Sequence, residues 1–338
     1  MTDPTLLTIV LNYRTPEMTL KAVEAALREM AGIAGEVVIV DNDSQDDSFE
    51  MLTQAATDKG WIASGRVRVL QSGRNGGFGA GNNVGMHAGL SDGRQPDYFY
   101  ILNSDAWPEP GAIRYLLDHM QAHAKTGIAG SFLRGSDDEP HISAFRFPSI
   151  AGELEESARL GVITRLFPNA IVAMPIPTKV TQVGWVAGAS MILRRRMLDE
   201  IGMFDETFFL YYEETDLCLR AARAGWRTEY VPHSEVIHVG SVSTGMKTWR
   251  RTPHYWFDSR QYYFVKNHGT GYAVLATLAR ITGTLISRLR RMIGSKPQVE
   301  PDGFLRDLTA HFVKSMIRSR SVPPTPAPLV RPFAEDNK

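Results

Sequence analysis

The chain of 338 residues lacks several features that would mark particular classes of protein. Its single cysteine, Cys218, excludes an internal disulfide and favours a reducing compartment. Basic and acidic residues both number 37, so the net charge of zero gives no indication of a nucleic-acid partner. No basic region or cleavage site precedes the apolar residues 6–11, so we expect no signal peptide and a cytoplasmic location.

The sequence also lacks an apolar run long enough to suggest a transmembrane helix. Residues 272–286 are largely apolar, but Arg280 interrupts them and the run is shorter than the roughly 20 residues that span a bilayer. They lie within residues 259–299, which contain seven basic residues and no acidic one. Such a segment suits attachment to the cytoplasmic face of the inner membrane. It equally suits a helix packed on the main domain with solvated arginines, so both interpretations remain open.

Short apolar runs and helix-like segments alternate over the first 130 residues. The predicted strands are residues 6–11, 37–41, 67–71, 98–102 and 127–131. The predicted helices between them are residues 16–30, 47–56, 79–89 and 111–123. A strand at 183–193 and helices at 194–201 and 213–225 follow later. This alternation predicts an α/β fold with a mostly parallel central sheet flanked by helices.

The alternation fails in one segment, which suggests how the chain is divided. Residues 136–182 contain five prolines and little periodicity, so we expect a variable, irregular insert that shapes a substrate cleft. This insert belongs to a main domain that we place at residues 1–245. Residues 246–320 predict a basic helical C-terminal extension, and the proline-rich residues 321–338 predict a disordered tail.

An acidic turn, Asn103-Ser104-Asp105, follows the predicted strand 98–102. Ligands of open α/β sheets bind beyond the carboxyl ends of the strands, so the carboxylate of Asp105 is well placed to hold a divalent cation. One carboxylate together with substrate phosphates suits Mg²⁺ or Mn²⁺. An Asx turn leading to Pro108 would need no metal, and this alternative stays open.

A second acidic turn follows the predicted strand 37–41. Asp41 and Asp43 could accept hydrogen bonds from a nucleobase or a ribose. Asp and Ser are also favoured at helix N-caps, an alternative that applies to Asp43 and Ser44 more than to Asp41, which adjoins the strand end.

The glycine-rich residues 73–85 match neither the dinucleotide fingerprint nor the Walker loop. A glycine-rich turn that opens a helix can still offer backbone N–H groups to a phosphate. A cation and three amides stand in this segment: Arg74, Asn75, Asn82 and Asn83. A tight turn with close packing of helix on sheet is the alternative.

Three acids open the predicted helix 213–225: Glu213, Glu214 and Asp216. The aromatic residues at 208–212 could lower the local dielectric and raise a carboxyl pKa, which suits a general base. A helix start also stabilises acids, and Asp216 is spaced to pair with Arg220, so one or two of the three are expected to be structural. His238 becomes a candidate metal ligand only if the fold brings it near Asp105.

In order and spacing these motifs resemble glycosyltransferase family 2, whose members have the GT-A fold, and in particular its bacterial rhamnosyltransferase-like branch. The resemblance runs through roughly residues 6 to 240. It rests on VLNY (10–13), VIVDNDS (38–44), NGGFGAGNNVG (75–85), LNSDAWP (102–108), GASMILR (188–194), GMFDETFF (202–209), EETDLCLR (213–220) and His238.

The resemblance implies an inverting transfer from a nucleotide-diphosphate sugar, with Mg²⁺ or Mn²⁺ held by Asp105 and His238. The general base of the family is usually an aspartate, and the matching position here is Glu214, with Glu213 and Asp216 as alternatives. The implied donor-binding residues are Asn12, Tyr13, Asp41, Asp43, Arg74, Asn75, Gly76, Gly77, Asn82, Asn83, Asn103 and Gly188.

The resemblance also favours dTDP-rhamnose over UDP-sugars as donor, and a polysaccharide or lipid-linked glycan as acceptor. Two other classes compete with this interpretation. A non-catalytic sugar-nucleotide-binding or scaffold subunit would have lost the acid at Asp105 or Glu214, and both remain. A nicotinamide oxidoreductase is disfavoured because the dinucleotide fingerprint fails.

Overall fold

The computed structural model describes residues 3–240, 249–294 and 300–318. The chain divides into two compact units, one of residues 1–145 and 173–245 and one of residues 146–172 and 246–338. The sequence suggested one insert at 136–182 within the main domain. In the structure, the middle of that segment groups with the C-terminal helices and its two ends group with the main domain. The predicted tail at 321–338 lies outside the described residues.

The first unit alternates strands and helices from its start. Its strands are β1 (Leu6–Asn12), β2 (Gly35–Asp41), β3 (Val67–Gln71), β4 (Tyr98–Asn103), β5 (Ala106–Pro108), β6 (Thr126–Arg134), β7 (Pro140–His141), β8 (Ala144–Phe145), β9 (Thr181–Val183), β10 (Trp185–Val186), β11 (Ser190–Arg194) and β12 (Arg227–His238). Its helices are α1 (Pro16–Glu29), α2 (Ser48–Asp58), α3 (Gly77–Ala88), α4 (Ala112–Ala122), α7 (Arg195–Ile201) and α8 (Glu213–Arg223), where α5 and α6 belong to the second unit.

The main sheet has the strand order β3-β2-β1-β4-β11-β6-β12-β5. The first four strands are parallel neighbours, and β6 and β12 are also parallel. Strand β11 lies antiparallel between β4 and β6. The prediction of an α/β fold with a mostly parallel sheet is therefore confirmed.

The parallel strands are buried because helices cover the sheet. Six of the seven residues of β2 are buried, and so are six of the seven in β1. Such near-continuous apolar runs are typical of parallel strands covered on both faces. On one side, Ala22, Val23 and Ala26 of α1 pack against Val10 and Ile39 in the main hydrophobic core. This packing fixes the strand ends, where the candidate site lies.

One predicted strand is divided in the structure. The apolar residues 183–193 form parts of β9, β10 and β11. The N–H of Gly184 donates to Phe145 and that of Ala187 donates to Ser143, so β10 leaves the main sheet and pairs with β8. Competition from a second partner strand, which periodicity cannot reveal, accounts for the difference.

The second unit is helical, which confirms the predicted helical extension. It contains α5 (Ile150–Ala158), α6 (Gly161–Leu166), a 3₁₀ helix (Pro168–Ala170), α9 (His254–His268), α10 (Thr270–Ile293) and α11 (Phe304–Arg318). The guanidinium of Arg260 is buried and lies 2.9 Å from the carboxylate of Glu153. Helices α5 and α10 approach so closely that a Cβ at Gly283 would lie 2.0 Å from the Ser157 hydroxyl. Within the described residues, we find no helix with the length and apolar character needed to cross a bilayer.

Candidate active site

The candidate site begins where β1 ends. In the register of the parallel strands, Asn12 stands beside Asp41 of β2, and Leu11 stands beside Asn103 of β4. Strand β1 has β2 on one side and β4 on the other. The order in which strands are added to the sheet therefore reverses direction at β1. Open α/β sheets bind ligands at such a switch point, beyond the carboxyl ends of the strands.

A buried hydrogen-bond network holds the acidic turn after β2. The amide of Asn12 donates to Asp41 Oδ1 over 2.7 Å, and the hydroxyl of Ser44 donates to the same oxygen over 2.5 Å. The Asp41 carboxylate is only 1% exposed. Asn12 is itself fully buried, and its carbonyl oxygen accepts from Thr19. Asn12 and Asp41 therefore support the turn from the buried interior of the protein.

The backbone around this turn is strained. Arg14, Asp43 and Gln45 all have positive φ angles, of 58°, 56° and 57°. Residues other than glycine rarely adopt this left-handed region, and such strain clusters at functional sites. The adjacent Tyr13 ring lies 5.2 Å from the Arg14 guanidinium. The polar groups of the turn after β2 are therefore held in one arrangement at the carboxyl ends of β1 and β2.

The glycine-rich segment forms the start of α3, but its first N–H groups have protein partners. Gly77 donates to the side chain of Asn75, and Phe78 donates to the carbonyl of Phe209. Gly77 has a φ of 86°, and a Cβ there would lie 1.6 Å from the Phe209 oxygen. The expected phosphate cradle therefore does not include these two N–H groups. The N–H of Phe78 instead holds α3 against the loop before α8, and that of Gly77 closes the turn onto Asn75.

The polar side chains of this segment divide into exposed and buried groups. Arg74 is 64% exposed and lies 2.6 Å from Glu206. Asn83 is buried, exchanges hydrogen bonds with the backbone of Phe204, and donates to Glu206. Asn82 is fully buried and donates to the Phe78 carbonyl. Arg74 is thus the exposed cation of this segment, whereas Asn82 and Asn83 shape the turn.

The fold brings His238 to Asp105, which the sequence could not establish. His238 ends β12 and pairs with Ala106 of β5, directly after the acidic turn. Its Nε2 lies 3.3 Å from Asp105 Oδ1 and 3.4 Å from the amide of Asn103. The N–H of Gly240 donates to the other carboxylate oxygen of Asp105 over 3.1 Å.

This setting keeps Asp105 ionised. Burial by itself would raise the pKa of Asp105, but the hydrogen bond and charge of His238, together with the backbone N–H groups of Asp105 and Gly240, outweigh it and leave the pKa below its ordinary value. The Asp105 side chain is 8% exposed and that of His238 is 18% exposed, so the pair is largely shielded but reachable. An ionised carboxylate beside an imidazole and an amide is a donor set that a divalent cation can use.

The pKa values of the first two acids of α8 are shifted in the opposite direction, upward. Burial raises the pKa of Glu214, against the lowering effect of N–H groups of its own backbone and of Gly188. Burial and the charge of Glu214 raise the pKa of Glu213 well above its ordinary value. Within the described residues, one carboxylate oxygen of each is buried without a hydrogen-bond partner. Such a carboxylate is disposed to take up a proton.

The third acid of this helix, Asp216, holds an arginine in place. Asp216 is fully buried and accepts from Arg220 over 2.8 Å. Arg220 also donates to the carbonyls of Ile201 and Met203, over 2.6 and 2.7 Å. Asp216 thus orients an arginine that fastens the loop after α7 to α8.

One segment connects the acidic turn of β4 with the acids of α8. The N–H of Asn103 donates to the Ala189 carbonyl over 3.0 Å. The preceding residue, Gly188, would place a Cβ 2.9 Å from the Phe78 ring and 3.7 Å from Glu214 Oε1. Because Gly188 has no side chain, α3, α8 and the end of β4 can converge there.

The structure gives positioning roles to two residues that the resemblance did not place in the site. Ser44 bonds Asp41, and Glu206 joins Arg74 to Asn83. Both lie inside the motifs DNDS and GMFDETFF, so their positions were visible. Their roles were not visible in the sequence. The partners of Glu206 lie far along the chain, and the partner of Ser44 is reached through a turn whose shape depends on the fold.

Fold and site together define a glycosyltransferase with the GT-A fold. The family described as "Glycosyl transferase family 2" matches residues 7–202. The chain belongs to glycosyl transferase family 2, and the resemblance drawn from the ordered motifs is confirmed.

Related sequences include rhamnosyltransferases. The chain is 32% identical over 220 residues to N-acetylglucosaminyl-diphospho-decaprenol L-rhamnosyltransferase of Mycobacterium tuberculosis, covering 62% of this chain and 68% of that protein. It is 27% identical over 165 residues to rhamnosyltransferase WbbL of Escherichia coli, covering 48% of this chain and 60% of that one.

Solved structures show the same fold. Mannosyltransferase PcManGT from Pyrobaculum calidifontis, in complex with GDP-Man and Mn²⁺, has a TM-score of 0.57 at 13% identity, over 95% of this chain and 81% of its own. GalNAc-T7 with UDP, GalNAc and Mn²⁺ has a TM-score of 0.53 at 13% identity, over 96% of this chain and 59% of its own. At this identity the likeness establishes the fold.

Proposed function

We propose that this glycosyltransferase transfers a sugar, with inversion at the anomeric carbon, from a nucleotide-diphosphate donor to a lipid-linked or polysaccharide glycan. The observation that carries the proposal is the opposite tuning of two carboxylates: the pKa of Asp105 is lowered and that of Glu214 is raised. Groups whose pKa values are driven apart in one site are suited to different chemical tasks. Asp105 remains a charge for binding, and Glu214 is available for proton transfer.

The donor sugar in this proposal is L-rhamnose carried on dTDP, with UDP-sugars as the alternative. The names of the two rhamnosyltransferase relatives support the sugar. The name of the mycobacterial relative also supports an acceptor in which a sugar is linked to a lipid through a diphosphate. The nucleotide would lie at the turn after β2, where Asp41 Oδ2 accepts one hydrogen bond, from the N–H of Ser44.

Arg74 supplies a cation for the donor diphosphate in this proposal. It is exposed and forms an ion pair with Glu206 at 2.6 Å. Exposed ion pairs contribute little, about 0 to 1 kcal/mol, so a diphosphate can displace Glu206 as the partner of Arg74 at small cost.

Asp105 and His238 would hold the divalent cation, with Asn103 beside them. The donor set fits: the carboxylate stays ionised, and the carboxylate and imidazole atoms lie 3.3 Å apart. Carboxylate oxygens suit Mg²⁺ and Mn²⁺ alike, whereas an imidazole ligand favours the transition-metal ion. When bound, the cation supplies Lewis-acid stabilisation of the leaving diphosphate.

Glu214 would act as the general base that removes the proton of the acceptor hydroxyl. It is partly exposed, whereas Glu213 is only 3% exposed and packs beside Gly79 of α3. Asp216 is engaged by Arg220. Among the three acids, Glu214 is therefore the one that combines access with a buried oxygen for which the described part of the chain supplies no hydrogen-bond partner.

The second unit supports the proposed contact with the cytoplasmic face of the membrane. Six large apolar side chains of α10 are about half exposed or more: Leu275, Leu278, Leu285, Leu289, Met292 and Ile293. At 3.6 residues per turn they form one stripe along the helix. The exposed Arg288 lies beside the stripe, and exposed apolar patches of this kind mark interaction sites. Basic residues near a surface attract anionic lipid by about 1 kcal/mol each.

Vesicle flotation tests the membrane contact. We expect the chain to float with anionic phosphatidylglycerol vesicles and less with neutral ones. The double substitution Leu285→Glu and Leu289→Glu should abolish flotation, while Met51→Glu on α2, at a somewhat less exposed apolar position, should not. Unchanged flotation of the double variant would exclude the α10 stripe as the membrane contact.

A donor panel tests the transfer itself. Release of dTDP or UDP from their sugars is measured with a lipid-diphosphate-linked acceptor, with Mg²⁺, Mn²⁺ or chelator. Calorimetry with Asp105→Asn should show that the metal-dependent part of donor binding is lost. Equal donor affinity of wild type with and without chelator would contradict the assignment of Asp105, and donor binding without any turnover would indicate a non-catalytic subunit.

A further inference from the structure

The second unit contains a cluster of two histidines and one aspartate away from the motifs of the family. The Nδ1 of His254 lies 2.9 Å from Asp258 Oδ2, and the Nε2 of His311 lies 2.7 Å from Asp258 Oδ1. One potential ligand atom of each residue lies within 4.8 Å of the others. Helices α9 and α11 supply these residues from positions 53 apart in the chain.

The local fold explains why these side chains meet. His254 and Asp258 are four residues apart on α9, so they share one face of that helix. Phe257 of α9 packs with Phe304 and Leu308 of α11 in a small apolar core. This core places His311, one turn further along α11, against Asp258. The ring of Phe257 also stacks on that of His311, with centroids 5.8 Å apart.

The chemistry and access of the cluster suit a metal ion. Two imidazoles and a carboxylate are the ligand types of three-ligand zinc sites, which keep a fourth position for water. On a tetrahedral zinc ion with bonds of about 2.0–2.2 Å, neighbouring ligand atoms lie about 3.3 Å apart. The distances of 2.9 and 2.7 Å and the outer limit of 4.8 Å bracket that value. His254 and Asp258 are 69% and 59% exposed, which leaves a path for the ion, while His311 is 10% exposed and held in place.

We propose that His254, Asp258 and His311 form a binding site for a divalent transition-metal cation of the Zn²⁺ type, which joins α9 to α11. As hydrogen bonds alone, these contacts would be exposed pairs of small effect. A cation that binds the folded state stabilises it by mass action and ties together helices that are distant in sequence. The site is separate from the Asp105 and His238 pair, and the proposal does not depend on the proposed transfer reaction.

The test measures binding of Zn²⁺ alone to the full chain without a polyhistidine tag. The chain carries Asp105→Asn, so that the pair at the end of β4 does not contribute, and no nucleotide is present. Isothermal titration calorimetry should give one equivalent of zinc. The single substitutions His254→Ala and Asp258→Asn are at exposed positions that should fold, and each should weaken binding at least tenfold. His87→Ala, at an exposed histidine of α3, is the matched control and should bind as before.

Two further measurements distinguish a metal site from a hydrogen-bonded clamp. Cobalt(II) added in place of zinc should give the visible absorption of a low-coordinate ion, which His254→Ala removes. Zinc should also raise the melting temperature of the control and leave that of His254→Ala unchanged. Absence of zinc binding, or equal affinity in the control, His254→Ala and Asp258→Asn, would overturn the proposal.

Discussion

Replacement of Glu214 by glutamine tests the proposed mechanism most directly. Glutamine keeps the size of the side chain and removes its ability to take a proton. A general base typically contributes 10²–10⁴-fold to rate, so the substitution should lower kcat by that factor, or about 2.7–5.4 kcal/mol of activation free energy. In the proposal Glu214 acts on the acceptor hydroxyl, whereas Asp105 and His238 hold the cation of the donor, so we expect donor affinity to change little.

The pH dependence provides the stricter test. A base acts only when deprotonated, so kcat should fall as pH decreases through the pKa of Glu214. Because burial raises the pKa of that carboxyl above its ordinary value of 4.5, the fall should occur at higher pH than for a solvated glutamate. The Glu214→Gln variant should lack this limb of the profile.

The matched control is Glu213→Gln, which alters the neighbouring acid. The assay is release of nucleotide diphosphate at saturating donor, with donor affinity measured separately by calorimetry. The reasoning is refuted if Glu214→Gln retains wild-type kcat with the same pH limb. A loss of kcat in Glu213→Gln alone would transfer the base role to Glu213.

Two further predictions concern stability. Since burial and Glu214 raise the pKa of Glu213, the folded state holds the proton more tightly than the unfolded state, and stability should fall as pH rises above about 4.5. Glu213→Gln removes that titration. Between about pH 5 and about pH 8, the melting temperature of the wild type should therefore fall more than that of the variant. Equal falls would contradict the raised pKa of Glu213. Gly77→Ala combines a φ of 86° with a Cβ that would lie 1.6 Å from the Phe209 oxygen, so it should destabilise the fold by more than about 2 kcal/mol in urea unfolding. Gly73→Ala, with a φ of 74° and open space around the Cβ, should cost about 1 kcal/mol, and equal costs would show that the contact with Phe209 is unimportant.

Local pattern was enough to predict most of the main sheet. Strands β1, β2 and β3 and the helices between them correspond to the predicted segments within one or two residues, because each is a largely apolar run or an amphipathic helix. The division of residues 183–193 was not predictable from pattern, since it depends on β8 as a competing partner. The grouping of residues 146–172 with the C-terminal helices depends likewise on contacts such as Arg260 with Glu153.

The family, the parallel α/β core and the acidic turns at the strand ends could all be predicted from the amino-acid sequence, because each depends on local order and spacing. Which polar residues contact one another became visible in the folded chain, because the folding of distant segments sets those contacts. The fold joined His238 to Asp105, paired Asp216 with Arg220, and left one buried oxygen of Glu214 without a hydrogen-bond partner among residues 3–240, 249–294 and 300–318. Charge and pKa depend on neighbours brought together from distant parts of the chain, and those neighbours exist only once the sheet has formed.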